Sequence, residues 1–422
     1  MYKKSVYNIL IAESFLWNTL TGAVIRLSPD GLAFYQKGCE QENSSYFQLL
    51  QSNGFFVDEA LDEVQKVLNR ERHLQRIPYP EDLFFVIAPT LRCNYDCNYC
   101  FEHRRDIKSD MSVEVRDQLL EYLEKRISSN PNLNRLHVTW FGGEPLLRLD
   151  LVDFLSKRIT DICQRQKVVY RPTLITNGRF LDDNAMALMV RDDFRKIQIS
   201  VDGTCQTYCA QKGASEQDYA IVIENIVHAA EKSSNILVRI NVAEREIHEA
   251  YQLTEYLLNN RGLDGKIKVY LAFVNQEGAQ DKLSAFCDFV EQERKFQEMF
   301  GTRYAQRSYM FKRPLAKGVS CRLTCDSNFC IGPMGELYKC EHHFGRKEWI
   351  VGSIRDGVLA ERQEMFDNFQ LSTTDLQKCS QCDIFPICMG GCINHRIMKE
   401  RIYDCEKLRE QLIARIVAPL KG

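Results

Sequence analysis

Between residues 83 and 274, short apolar runs recur, each followed by a longer stretch with apolar residues at helical spacing. The runs are LFFVIAPT (83–90), LHVTWF (136–141), PTLITN (172–177), KIQISVD (196–202), LVRINV (237–242) and KIKVYLAFV (266–274). Their length and β-branched content predict strands, while 112–128, 218–231 and 247–260 read as amphipathic helices between them. Strand then helix, six times over, implies parallel pairing and an α/β fold: a partial (βα)6 barrel of the TIM type over 81–312. In such a barrel the active site lies at the C-terminal ends of the strands.

The pattern differs at both ends. VYNILIA, FLWN and AVIRL, separated by turn-forming residues, predict a three-stranded meander. Helical segments follow at 29–37 and 44–52, and DEALDEVQKVLNRERHL opens with acids and repeats Leu61, Val64, Val67 and Leu68 at helical spacing. The two prolines of RIPYPED close this winged-helix-like β3α3 domain at residue 80. Beyond residue 313 periodicity fades into a cysteine-rich domain, 313–422, except for a last helix, EKLREQLIARIV.

Charge narrows the function classes. The chain of 422 residues carries 55 basic and 57 acidic side chains, a net charge of −2 that argues against a nucleic-acid binder. No apolar run approaches the roughly 20 residues of a membrane-spanning helix. The N-terminal apolar stretch is broken by Asn8 and Glu13, which makes a poor signal peptide and leads us to expect a cytoplasmic protein without a membrane partner.

Against that background, 17 cysteines stand out. Three lie at 93–100, nine at 321–405, and Cys39, Cys163, Cys205, Cys209 and Cys287 are scattered, as expected of small buried or half-buried apolar residues. Clustered cysteines in a reducing compartment point to metal or redox chemistry. Cys93, Cys97 and Cys100, spaced C-x3-C-x2-C, follow directly on the first barrel strand. One loop can wrap three thiolates around a cubane and leave an iron open for a substrate or cosubstrate. Zinc prefers four closed ligands, and His103 is near enough to keep that alternative open.

The cysteine loop resembles that of the radical S-adenosylmethionine (radical SAM) superfamily, and other motifs follow in order. The resemblance implies a [4Fe-4S] cluster whose open iron binds S-adenosylmethionine and whose electron releases a 5′-deoxyadenosyl radical. It implies that Tyr99 packs near the adenine and that Gly142, Gly143, Glu144 and Pro145 of WFGGEP meet the methionine amino group. By the same resemblance Asn177 of ITNG, Ser200 and Asp202 of ISVDG, and Arg239 with Asn241 on the fifth strand contact the cofactor. One departure is the stretch after Asp202, where Tyr208, Cys209 and Lys212 replace the family's His-Asp and arginine. Lys212 supplies positive charge for the methionine carboxylate without arginine's bidentate fork.

The C-terminal field contains Gly335-x4-Cys340 and then a C-x2-C-x5-C-x3-C run ending in Cys392. It resembles the SPASM extension, which implies two auxiliary [4Fe-4S] clusters and three in all. The family pattern assigns Cys321, Cys325, Cys340 and Cys392 to one, and Cys379, Cys382, Cys388 and Cys405 to the other. Cys330 is left over on a hairpin strand; if Cys321 or Cys325 is not a ligand, an iron stays open for a substrate thiolate. Glu341 stands where related sulfatase-maturing enzymes place an aspartate proton acceptor, which makes it either a catalytic base or a solvated acid. His342 and His343 read as outer or surface residues.

Residues 1–80 resemble the leader-binding element of peptide-modifying enzymes, which takes up a precursor's leader by strand addition; a packing domain is the alternative. Arg70, Arg72, His73 and Arg76 give its last helix a basic end. Together these resemblances imply an enzyme that abstracts hydrogen from a ribosomal precursor peptide and forms a Cys thioether. Its expected partners are that peptide and an external donor of the flavodoxin or ferredoxin type. Carbon–carbon crosslinking, formylglycine formation on a sulfatase, and a non-catalytic iron–sulfur or zinc scaffold are the alternatives.

Overall fold

Period-two alternation governs the central sheet of the computed structural model. The structure describes residues 1–38, 44–100, 109–242, 247–273, 314–368, 376–379, 381–397 and 405–417, with 292, 295, 296, 299 and 300. His103, Cys39 and Cys287 lie outside the described residues. The contacts divide the chain into two compact units: Pro78–Tyr309 with Ser327–Asp367, and Met1–Ile77 with Met310–Asp326 and Asn368–Gly422. This division cuts across the expected segment 313–422, part of which joins each unit.

In the first unit, strands β6 (Asp82–Ile87), β7 (Arg135–Trp140), β8 (Val169–Thr176), β9 (Lys196–Val201), β10 (Ile236–Val242) and β11 (Lys268–Phe273) pair in sequence order, all parallel. This matches the six-strand expectation. Leu83, Phe85 and Ile87 on β6 and Leu136, Val138 and Trp140 on β7 are buried, with half-buried residues between them. That apolar face packs on α4 (Val113–Ser128) and α5 (Leu149–Arg165), whose Leu119, Leu123, Val152 and Leu155 are wholly buried. The other face is more polar: Phe84 stacks on His137 at 4.2 Å, and Tyr270 Oη donates to Gln198 at 3.1 Å.

Helix starts follow local capping. The Ser112 hydroxyl accepts from Val115 N at the head of α4, and Asp182 accepts from Ala185 N at α6 (Asp183–Arg191). Helix α7 (Cys205–Lys212) ends on Gly213 in the left-handed conformation, and Ser215 with Asp218 forms a reciprocal capping box at α8 (Glu216–Lys232). Helix α9 (Ile247–Glu255) runs into a wider turn over Tyr256–Asn260.

The sheet continues past β6. Strand β12 (Phe329–Ile331) adds parallel to β6, followed by antiparallel β13 (Glu336–Tyr338), β14 (Gly352–Ser353) and β15 (Gly357–Val358), ten strands among the described residues. Cys330 on β12 is fully buried.

The second unit contains the expected meander, β2 (Asn8–Ile11), β3 (Phe15–Asn18) and β4 (Val24–Arg26), and helices α1 (Pro29–Lys37) and α2 (Ser45–Ser52). The third helix, α3, is shorter than its sequence pattern: it spans Glu63–Gln75, because Asp62 caps Gln65 N and Asp58 turns the chain at Ala60 N. Residues before it form β5 (Phe56–Asp58), which pairs antiparallel with β1 (Tyr2–Lys4) in a ribbon the sequence pattern does not reveal. Ile9, Ile11 and Trp17 of the meander share a buried core with Ile384, Ile387, Leu412 and Ile416. The last of these lie on the C-terminal helix Cys405–Val417, close to its expected span.

Candidate active site

The loop after β6 is fixed by its neighbours before any cofactor is considered. Gly143 N donates to Thr90 O at 3.2 Å and Glu144 N to Arg92 O at 2.9 Å, so the end of β7 closes on the residues that lead into Cys93. The two glycines are required for this approach. A Cβ at Gly142, whose φ is +121°, would stand 2.3 Å from Thr90 O, and one at Gly143 2.1 Å from Arg92 O. Further on, Asp96 N and Asn98 N donate to Lys212 O and Gln211 O, at 3.2 and 2.9 Å. Asn177 Nδ2 donates to Asn94 Oδ1 at 2.8 Å, and Tyr208 Oη to Tyr95 Oη at 3.2 Å. The cysteine loop is thereby tied to the ends of β7 and β8 and to the C-terminus of α7.

Glu144 is fully buried. Its Oε1 accepts from Thr176 Oγ1 at 2.7 Å and Leu146 N at 3.0 Å, and Oε2 accepts from Asn177 N at 2.7 Å. Burial pushes its pKa up, against the pull of these bonds. Pro145 opens the single turn Pro145–Arg148 that Glu144 caps.

A second buried network holds the other side. Tyr99 Oη donates to Asp202 Oδ2 and accepts from Lys212 Nζ at 3.2 Å and Asn241 Nδ2 at 3.1 Å. Asn241 also donates to Asp202 Oδ1 at 2.8 Å, and Arg239 Nε donates to Asn241 Oδ1 at 2.8 Å. Lys212 Nζ stands 3.3 Å from Asp202 Oδ2, and both side chains are almost wholly buried. Burial alone would lower the Lys212 pKa; Asp202 and the thiols of Cys97 and Cys93 outweigh it and hold the ammonium above its usual range. The Tyr99 hydroxyl is pushed up by burial and by Asp202. Ser200 lies in register beside Arg239. Asn94, Tyr95, Thr176 and Gln211 complete the support, together with Tyr208, which the sequence marks only as a departure from the family pattern. Thr176 lies inside the ITNG motif, where the sequence points to Asn177.

Cys163, Cys205 and Cys209 are buried or half-buried as expected. Burial raises the Cys93 thiol to about 11, with Cys97 close enough to add to the rise.

In the second unit Cys379, Cys382, Cys388 and Cys405 come together. Burial raises Cys379 to about 11, and the nearby thiols of Cys388, Cys382 and Cys405 push the same way. Arg409 on the last helix donates to Asp383 at 2.7–3.0 Å, tying Cys405 to the Cys382 turn. The other predicted set is split: Cys321, Cys325 and Cys392 belong to this unit and Cys340 to the barrel unit. Glu341 begins a single turn, Glu341–His343, directly after Cys340. His342 is exposed, whereas His343 is buried and stacks on Trp349 at 4.2 Å. Among the described residues no three His, Cys, Asp or Glu side chains stand where they would hold a single metal ion.

A parallel partial barrel with a fastened three-cysteine loop at the strand ends defines a class of enzymes, and comparison with known proteins names it. Residues 87–254 of the chain match the model of the Radical SAM superfamily, so the chain carries a Radical SAM domain. It is 25% identical over 357 residues to the cysteine-type anaerobic sulfatase-maturating enzyme of Clostridium perfringens, spanning 75% of this chain and 92% of the relative. The mycofactocin maturase of Mycolicibacterium smegmatis is 23% identical over 72% of this chain and 76% of its own. Among solved structures, anSMEcpe with bound AdoMet and a peptide has a TM-score of 0.61 at 17% identity, covering 81% of this chain and 98% of its own. Streptococcus suis SuiB bound to the precursor peptide SuiA has a TM-score of 0.56 at 14% identity and covers 95% and 97%.

The superfamily implies S-adenosylmethionine and a [4Fe-4S] cluster. Three cysteines on one braced loop, with the Lys212 cation beside two of them, fit such a cluster in donor chemistry and charge.

Proposed function

We propose that this enzyme is a peptide maturase that forms a thioether between a cysteine sulfur and a carbon of a ribosomally made precursor. The observation that carries the reading is the reach of the fold likeness. It covers 95% of the chain for SuiB, solved with a precursor peptide, against 81% for anSMEcpe. The meander and helices of residues 1–77 are thus read as the leader-binding element.

In this reading Cys93, Cys97 and Cys100 hold the first cluster, and Tyr99, Asn177, Ser200, Asp202, Lys212, Arg239 and Asn241 surround the cofactor's place. The bound cluster and S-adenosylmethionine supply one-electron hydrogen-abstraction chemistry. Glu144 keeps the ends of β7 and β8 at fixed separation, and Lys212 offers its charge from a position fixed by Asp202. Cys379, Cys382, Cys388 and Cys405 hold an auxiliary cluster. Glu341 accepts the substrate proton, and an external flavodoxin-type or ferredoxin-type donor supplies electrons in the cytoplasm. Among the described residues no helix is long and apolar enough to cross a membrane.

The second reading is formylglycine formation on a sulfatase, favoured by the 25% identity to the C. perfringens enzyme over 75% of the chain. Anaerobically reconstituted, reduced protein given S-adenosylmethionine separates the two. 5′-Deoxyadenosine formation stimulated by a leader-bearing cysteine peptide, and not by its leaderless core, supports the first. Equal stimulation by a leaderless sulfatase peptide supports the second.

A further inference from the structure

The sequence MGGC, residues 389–392, has an unusual backbone. Met389, Gly390 and Gly391 all have positive φ, at 52°, 74° and 79°. Three such residues in a row reverse the chain tightly enough to aim consecutive N–H groups inward. Gly391 N donates to Cys388 O at 3.0 Å, which closes this turn on the cysteine.

The bare face of Gly390 admits one further group. A Cβ there would stand 3.0 Å from Arg396 Nη1, so the guanidinium packs directly on the glycine. Arg396 N donates to Cys392 O at 3.3 Å, which seats the arginine one turn beyond the last cysteine of the run. Its Nε and Nη2 are buried and have no hydrogen-bond partner. Two orphaned donors on a permanent cation cost too much to be left unmatched. Gly390 follows Cys388 by two residues, so the guanidinium lies against the backbone of that cysteine's turn, and Glu71 Oε2 is likewise buried without a partner.

We propose that Arg396 sets the reduction potential of the cluster held by Cys379, Cys382, Cys388 and Cys405, its buried Nε–H and Nη2–H groups being donors to that cluster's sulfur atoms. The inference rests on the auxiliary-cluster reading above. A reduced cluster carries one more negative charge than the oxidised one, so a buried cation and sulfur-directed N–H donors favour reduction and raise the potential. Arg396 is a tuning residue; it touches neither substrate nor S-adenosylmethionine in this account.

The test is a redox titration of the full, anaerobically reconstituted chain followed by electron paramagnetic resonance, comparing wild type with Arg396→Gln and Arg396→Lys. In Arg396→Gln the reduced-to-oxidised ratio of that cluster, read at fixed solution potential, is expected to fall about tenfold, equivalent to about 59 mV. Arg396→Lys keeps the charge but not the planar pair of donors and should fall between. The cluster at Cys93, Cys97 and Cys100 should titrate as in wild type in both.

An unchanged midpoint in both variants, at full iron content, overturns the proposal. If Arg396→Gln cannot hold the cluster, Arg396→Lys decides: a lowered midpoint supports the role and a wild-type midpoint refutes it. Cys379→Ala tests the underlying reading separately, since it must cost about four irons per chain. Unaltered iron content there removes the cluster assignment, whatever the arginine variants show.

Discussion

Tyr99 donates its hydroxyl proton to Asp202, while Lys212 Nζ lies 3.3 Å from the same carboxylate oxygen. A residue inside the cysteine loop, one at the end of β9 and one at the end of α7 are thereby joined in a single buried network. Removing one charge of such a pair leaves the other buried and unmatched, at about 3–5 kcal/mol. Lys212→Met and Asp202→Asn should each lower stability by about that much, and the double variant by clearly less than their sum. Urea unfolding of the four proteins checks this. Additive losses would mean that the two side chains are not coupled.

The Gly143 contact gives a sharper local prediction. Because a Cβ at this position would stand only 2.1 Å from Arg92 O, Gly143→Ala must push the β7 loop away from the residues leading into Cys93. The reconstituted variant should retain less iron at the first site and make 5′-deoxyadenosine more slowly. Gly357→Ala is a control for the added methyl, since nothing lies within 4 Å of the place its Cβ would take, although its own φ, unlike that of Gly143, is positive at 77°. It should keep wild-type iron.

Much of this architecture is legible in the sequence, and the illegible parts have physical causes. Strand ends are marked by β-branched runs that stop at glycine turns, so WFGGEP, ITNG and ISVDG could be placed at once. The bond between Glu144 and Thr176 could not, because a carboxylate's partner 32 residues away leaves no periodic trace. The ribbon of β1 and β5 also escapes, since three-residue strands are too short to display period two. The sharing of one core by the meander and the C-terminal cysteine segment depends on Trp17 meeting Ile384 and Leu412, which local pattern does not encode.

That shared core is open to test. Trp17 is fully buried. Trp17→Ala should cost about 3–5 kcal/mol. Because the same core holds Ile384 and Ile387, the loss should also reduce iron retained by the C-terminal cysteines. Iron content that stays at the wild-type value, with lowered stability, would separate the two halves of the unit.

Acid stability has a defined contributor. Asp82 is held down to about 2 by hydrogen bonds from Arg135 and His137 that outweigh its burial. A depressed carboxylate pKa stabilises the fold fully above its unfolded value of about 3.9, and the benefit is lost as pH falls toward the folded value. Allowing for screening of the exposed Arg135, the contribution is about 1–2 kcal/mol. Between about pH 4 and pH 2, wild type should lose more stability than Asp82→Asn, as thermal melts of the metal-free chain at several pH values would show. Parallel curves for the two proteins would rule out this contribution.

The central claim is the bond that is made. The direct measurement is tandem mass spectrometry of a cysteine-bearing precursor peptide from the same genomic neighbourhood, co-expressed anaerobically with this enzyme. The account predicts a product lighter by two hydrogens per bond, with one fewer alkylatable thiol and fragments that place the link between a cysteine sulfur and a carbon of another residue. A product that has lost hydrogens but kept every thiol, or that has exchanged a cysteine's sulfur for oxygen, would contradict it.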